Sequence, residues 1–483
     1  MNVWVKDKRT PFVQEWRPFD QWRWQKETFR NLGENGKVFV SLDVVIPNKD
    51  SLPFLVGSVA HLDYSTVLRG MSTGVMPFLP AGGKGVDVPA TVFSSVGEGF
   101  ERYLCFIYAQ YIRHVPGLIR VATYRELREA GERALGPEEL YLFHPRQYAQ
   151  ENFPFVPLQE DTLLSWIRGT DLLTGDVVWA PAQIIVMGYA AHGEPPVGFS
   201  SSAGLSAGSS IEEAIVHGFQ EFVERDANNI HWVTRIPPLR VRLSRQDVER
   251  LTCISLPNLP TMRVDVFLWS EFVPEIAVVT AHVIREDMEW YAYWPGIGVA
   301  FDFATALRKA LSESAQGQLF IPYMHKVKQA FGKHPTYYYV EEDEDPSRID
   351  NLFKTIVYYG YRKNLERMYR EYFDLSPEIT LKGLEKRGFQ LFPQRLSLTS
   401  QVKRVKEIAH KHGWHPVVFD LTPPEVQGSA ALVRVVIPEL TPYYTISLPA
   451  FGHPRYQNAP AILRGEERRL DLEDFCFEPM PFP

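Results

Sequence analysis

The chain has 483 residues, 45% hydrophobic and 23% charged, with a formal net charge of −7. That length and apolar content suffice for two or three packed units or one elaborate domain. The mild negative balance, with a pI near 6.0, excludes a surface built to attract nucleic acid or an anionic membrane over its whole area.

The opening stretch, MNVWVKDKRTPF, lacks the apolar run of a secretory signal. No apolar run reaches the ~20 residues of a membrane-spanning helix. Cys105, Cys253 and Cys476 stand far apart and form no CxxC. An odd, scattered set fits reduced thiols and a cytoplasmic location. The 37 prolines, beside 13% aromatics, point to fixed turns and not to disorder.

Residues 1–65 mix aromatics with a strand-like run, KVFVSLDVVIP, and read as an N-terminal extension or small sub-domain. Residues 66–483 read as the main domain. FLPAGGKGVDVP predicts a glycine-rich loop feeding a helix, ATVFSSVGEGFERYLCFIYAQYI. GDVVWAPAQIIVMGY alternates as one or two strands. The small-residue loop SSSAGLSAGSS opens a second long helix, IEEAIVHGFQEFVERDANN. RVDVFLWS and EIAVVTAHVI read as strands, and DFATALRKALSESAQGQLFI as a third helix. EEDEDPSR reads as a solvated acidic loop. SQVKRVKEIAHKHG is an amphipathic helix with Val402, Val405 and Ile408 on its apolar stripe and Gly413 closing it. PVVFDLT and ALVRVVIP follow as strands. This loose alternation is α/β or mixed α+β, too irregular for a barrel or a doubly wound sheet.

Two helices carry the pattern Glu-x-x-Glu-Arg, at Glu98, Glu101, Arg102 and at Glu221, Glu224, Arg225. Residues three and four apart share a helical face. In the second helix Glu213, His217, Glu221 and Glu224 form a stripe opposite the apolar Ile211, Ile215, Phe219 and Phe222. Taken alone, that stripe reads equally as an exposed acidic face. The first helix is apolar nearly all round, so its acids belong to a buried setting. Two buried like charges need a cation, because each carries a desolvation cost of several kcal/mol. Arg102 would neutralise one carboxylate; a hard divalent ion would satisfy both. Oxygen ligands without Cys or His favour Mg²⁺ over Zn²⁺, and Mg²⁺ completes its shell with phosphates and water. The third helix adds Glu313 and Gln316 at i and i+3.

No GxxxxGK[ST] occurs, so a nucleotide would not sit in a P-loop. GGKG contributes Lys84 and flexible backbone. SAGLSAGSS offers amides and hydroxyls at a helix start, a suitable anion site, although Ser210 and Glu213 also have capping-box spacing. His410, His412 and His415 span a helix end and a turn, which argues against three converging metal ligands. Cys105 reads as core, and Cys253 has no base beside it.

Together SSVGEGFER, SAGLSAGSSIEEAIVHGFQEFVERDA, GIGVAFDFATALRKALSESAQ and ALVRVVIP resemble the YcaO superfamily, over residues 80 to 440. The resemblance implies a YcaO-like fold with carboxylate-bearing helices around an ATP site that has no Walker motif. It implies Mg²⁺–phosphate binding by Glu98, Glu101, Glu221 and Glu224. Ser206, Ser209 and Glu213 would lie in the nucleotide site, with Arg225 near the phosphates, Arg434 near the transferred phosphate, and Glu313 and Gln316 from the third helix; Lys84 joins them on the GGKG stretch alone. Ser209 stands where asparagine is common, and PEL at Pro438–Leu440 where PGL is usual.

The end, Pro479-Met480-Pro481-Phe482-Pro483, is similar to the PxPxP ending of the azoline-forming cyclodehydratases, with Pro483 implied at the catalytic site. On composition alone the same ending reads as a disordered proline-rich terminus. The implied activity is ATP-dependent conversion of Cys, Ser or Thr in a ribosomal precursor peptide to thiazoline or oxazoline, in bacteriocin-like natural-product biosynthesis. Thioamide or amidine formation is the alternative, as is a non-catalytic peptide-binding scaffold. Implied partners are the precursor peptide, a separate E1-like leader-binding protein, a flavin-dependent dehydrogenase and a second copy of the chain, with no role for nucleic acid or membrane.

Overall fold

The computed structural model describes residues 39–47, 49–62, 78–112, 114–115, 117–189, 193–331, 340–441 and 444–482. Strands β1 (Phe39–Val45), β2 (Leu55–Leu62) and β3 (Phe78–Gly85) form an antiparallel sheet in that order. FLPAGGKG, which the sequence suggests is a loop, is thus strand β3. Its glycines serve close packing. A Cβ on Gly83 would stand 2.1 Å from the Ser95 backbone nitrogen of helix α1 (Val88–Tyr111). Only a bare backbone lets β3 lie so near that helix. Gly83→Ala is therefore expected to cost about 1–3 kcal/mol by prising strand and helix apart. Urea unfolding measures this, and an unchanged midpoint would contradict the packing role. Helix α1 starts on Asp87, whose Oδ1 accepts from the Ala90 N–H at 2.7 Å, a standard N-cap.

Strands β4 (Ile119–Ala122), β5 (Arg133–Ala134), β6 (Leu164–Asp171), β7 (Val177–Pro181) and β8 (Leu205–Gly208) begin a second sheet that the chain completes only near its end. Between them, β9 (Leu239–Val241), β10 (Met262–Leu268), β11 (Ala277–Arg285), β12 (Tyr293–Ala300) and β13 (Glu378–Ile379) build a third, ordered β12-β11-β10-β9-β13. Then β14 (Val417–Asp420) and β15 (Ala431–Val436) complete the second in the order β5-β7-β6-β14-β15-β8, with β4 beside β6. Among the described residues only β5–β7 and β9–β13 pair in parallel. The expected mixed class holds, with mainly antiparallel sheets.

Helix α2 (Ile211–Val233) packs on β8 and β15, α3 (Phe303–Phe331) on β11 and β12, and α4 (Leu398–His412) on α2. The expected apolar stripe of α2 is buried at Ile215, Phe219 and Phe222, but Ile211 at its start is 45% exposed. Helix α3 is capped by Asp302, which accepts from the Thr305 N–H at 2.8 Å, and it continues ten residues past the expected end at Ile321. Gly413 ends α4 with φ +67°, the left-handed conformation that glycine permits.

The small-residue stretch before α2 is likewise not all loop. Gly204 turns with φ +72°, and a Cβ there would stand 2.2 Å from the Val435 carbonyl oxygen. That contact seats β8 against β15, pairing Leu205 with Arg434 and Ser206 with Val433.

Candidate functional site

Three helices and two glycine-containing strands converge here. From α1, Glu98 accepts from the Gly82 N–H of β3 at 3.3 Å and pairs with Arg102 at 3.2 Å. Both members of that pair are more than one-third exposed, so it contributes little to stability. One turn on, Glu101 accepts from the Ala207 N–H of β8 at 3.2 Å. Strand β3 also reaches α3: Lys84 Nζ lies 3.2 Å from Glu313 Oε1, and Gln316 lies over Gly82, where a Cβ would stand 2.2 Å from its Nε2. The other Glu313 oxygen accepts from the Ile297 N–H at 2.8 Å. Strand β3 thus ties α1 to α3.

The stripe on α2 faces this junction. Glu224 is 6% exposed and Glu213 and Glu221 are half-buried, while His217 on the same stripe is exposed, so the reading of an exposed acidic face is corrected for the stripe's C-terminal end. Helix α2 packs on the sheets, and at Glu224 its polar stripe comes close to Glu313 and Lys309 of α3. Arg225 Nη2 stands 3.7 Å from Glu221 and 3.8 Å from Glu224. Burial pushes the Glu101 carboxyl up to about 8, and neighbouring Glu221 adds to this against Arg102 and the Ala207 N–H. Burial raises Glu224 to about 7, with Glu313 and Glu221 adding and Arg225 opposing. Glu221 is raised by burial too, opposed by Arg225, Arg434 and Arg102. The protein's own cations therefore fall short of stabilising these carboxylates.

Arg434 projects from β15, 4% exposed, and donates to the Ser201 carbonyl. Its Nε has no hydrogen-bond partner among the described residues. Burial lowers it to about 10, with Cys105, Glu221 and Glu101 opposing. Ser206 is buried on β8, paired with Val433 and so on the face of the sheet opposite to Arg434. Glu213 is not half of a reciprocal capping box. Its N–H donates to Ser210 Oγ at 3.3 Å, but its carboxylate accepts from the N–H and Oγ of Ser209, at 2.8 and 2.5 Å.

Sequence reasoning missed Lys309. It donates to the Val299 carbonyl at 2.9 Å, and its charge counters the raised carboxyl of Glu224. Its spacing of four residues before Glu313 on α3 was the available signal. Asp226 was also missed: fully buried, it accepts from Arg455 Nε with both oxygens at 2.9 Å and from the Thr441 N–H at 2.8 Å. It anchors the chain after β15 to α2.

The expected site at Pro483 lies outside the described residues. The rest of the tail is buried, which overturns the reading of a disordered terminus. Phe482 is 2% exposed and stacks edge-on to Trp269 at 4.9 Å, and Tyr359 donates to the Pro479 carbonyl at 2.8 Å. Met480 and Phe482 share a cavity with Arg225 and Asn228. The histidines are elsewhere: His412 meets Glu275 at 3.1 Å and His415 lies 3.6 Å from Asp171.

A family model described as YcaO cyclodehydratase, ATP- and Mg²⁺-binding, matches residues 82–441. The chain belongs to the YcaO family. An uncharacterized protein from the tfuA 3′ region of Rhizobium leguminosarum bv. trifolii is 27% identical over 251 residues, 49% of this chain and 54% of that one. The chain therefore spans about half the length of that curated relative. A heterocyclase in complex with substrate and cofactor shares the fold, with TM-score 0.67, 20% identity and coverage of 92% of this chain and 55% of that one. So does a chain of the Escherichia coli microcin synthetase McbBCD complex with pro-MccB17 bound, with TM-score 0.54, 14% identity and coverage of 92% and 100%.

The residues present fit the YcaO family's nucleotide and metal. Among the described residues no three His, Cys, Asp or Glu side chains are gathered into a metal cage. Mg²⁺ asks for no such cage: one or two carboxylates suffice when phosphate and water oxygens complete its octahedron. Raised, crowded carboxyls are the donor set that such an ion relieves. No described helix is long and apolar enough to cross a membrane.

Proposed function

We propose that the chain is an ATP-dependent cyclodehydratase that converts Cys, Ser or Thr of a ribosomal precursor peptide to thiazoline or oxazoline, in the biosynthesis of bacteriocin-like products. The supporting observation is the grouping of Glu98, Glu101, Glu221 and Glu224 on facing helices, with the carboxyls of Glu101, Glu221 and Glu224 raised by burial and the buried Arg434 close to Glu101 and Glu221. In this reading the side chain of the modified residue attacks the preceding carbonyl carbon. The former amide oxygen takes the γ-phosphoryl group of ATP and leaves as phosphate, closing the C=N bond of the azoline.

Bound Mg²⁺ would supply charge neutralisation for the phosphates, and Glu98, Glu101, Glu221 and Glu224 are the residues to hold it. Lys84, Ser206, Ser209, Glu213, Arg225, Glu313 and Gln316 would orient the nucleotide. Arg434, with an unpartnered Nε, would donate to the transferred phosphoryl group as charge develops. The Pro483 carboxylate would take the protons released on ring closure. A separate E1-like protein would present the leader, a flavin-dependent dehydrogenase would oxidise azoline to azole, and the enzyme would act as a homodimer in the cytoplasm.

The test combines the chain, ATP, Mg²⁺, the leader-binding protein and the precursor peptide, and measures intact peptide mass. Loss of one water per modified residue with release of ADP and phosphate is expected. Unchanged mass without ATP turnover would leave only a scaffold role.

A further inference from the structure

Helix α2 carries one more polar side chain that the protein leaves unsatisfied. Asn228 is 1% exposed, and among the described residues neither its Nδ2 nor its Oδ1 has a hydrogen-bond partner. Its neighbour Asn229, by contrast, donates to Thr441 Oγ1 at 3.2 Å. The protein itself thus leaves both the donor and the acceptor of the buried Asn228 amide available. Asn228 is among the residues lining the cavity that Arg225, Leu352, Tyr444, Met480 and Phe482 also bound. It follows Glu224 by one helical turn, so it lies beside the acid stripe, about 5–6 Å along it.

We propose that Asn228 grips the backbone of the peptide residue being cyclised; this rests on the cyclodehydratase reading above. A primary amide presents a donor and an acceptor side by side. A phosphate would use only the donor and would face Oδ1 with negative charge. A metal ion would use only Oδ1. The N–H and C=O of one extended residue use both. Apolar Leu352, Met480 and Phe482 around the amide exclude competing water. Because a trans peptide points its N–H and the preceding C=O in opposite directions, holding the N–H turns that carbonyl oxygen away from Asn228, free to meet the phosphoryl donor. Asn228 is a positioning residue here, not a proton carrier.

The test uses the full-length chain loaded with AMPPCP and Mg²⁺. The probes are acetyl-Gly-Cys-Gly-amide and the ester analogue in which oxygen replaces the cysteine N–H. Calorimetry is expected to show the wild type holding the amide about tenfold more tightly than the ester, the worth of one hydrogen bond. Asn228→Ala and the near-isosteric Asn228→Leu should erase that preference, with the loss falling on the amide probe and not on AMPPCP. The leucine variant removes an unsatisfied polar group, so it should fold at least as stably as the wild type. Equal loss for both probes, no change for either, or no binding of the tripeptide by nucleotide-loaded wild type would overturn the role of Asn228. Failure of the wild type to bind AMPPCP at all would instead sink the cyclodehydratase reading.

Discussion

Replacing Glu224 by glutamine is expected to lower ATP-dependent peptide modification by about 10²–10³-fold, the usual cost of losing one electrostatic contact to a reacting phosphoryl group or acyl oxyanion. The same change should leave thermal stability equal to or above that of the wild type. Glu224 is 6% exposed, and its carboxyl is raised to about 7 because burial and the acids Glu313 and Glu221 outweigh Arg225. The fold therefore tolerates the neutral form better than the charged one. A structural acid behaves in the opposite way, since its removal strands a partner.

The pH dependence carries a definite sign. In metal-free protein the native state binds this proton more tightly than the unfolded chain does. Wild-type stability should then fall as pH rises from the ordinary carboxyl value of 4.5 through about 7, and level off above. Glu224→Gln lacks this component, so its advantage in unfolding temperature should grow over the same window. A variant that loses both activity and stability would mark Glu224 as a structural residue.

Phe482→Ala is expected to cost about 3–5 kcal/mol, the range for truncating a fully buried aromatic. The ring is 2% exposed and packs on Trp269 at 4.9 Å and on His282 at 6.4 Å. Met480 is buried as well, and the Pro479 carbonyl holds the Tyr359 hydroxyl. Deleting the last five residues would thus remove part of the core. Lost activity after that deletion would report on the fold as much as on chemistry. Deleting Pro483 alone is the cleaner comparison: unfolding temperature should stay near that of the wild type while peptide dehydration is lost. Full dehydration without Pro483 would remove the terminal carboxylate from the mechanism. A stable Phe482→Ala variant would show that the tail is not core.

The amino-acid sequence by itself determined the long helices and the acid pairs on them. Both are local properties: a period of 3.6 residues, caps at Asp87, Ser210 and Ser397, a left-handed stop at Gly413, and carboxylates three residues apart. It also carried enough of the family pattern to name the nucleotide and the metal. Tertiary structure decided which way the acids face. The stripe of Glu221 and Glu224 has the same spacing whether it meets water or protein, and only the cover from α3 and the sheets makes it an interior site. The same holds for the two small-residue segments. Glycines at 82, 83 and 204 read as loop until their partners are known, because their lack of a side chain answers to Ser95 on the next helix and to Gln316 and Val435 far away in the chain. The bridge from Lys84 to Glu313, the buried tail and the unsatisfied Asn228 are likewise contacts between distant segments, fixed by packing and not by local periodicity.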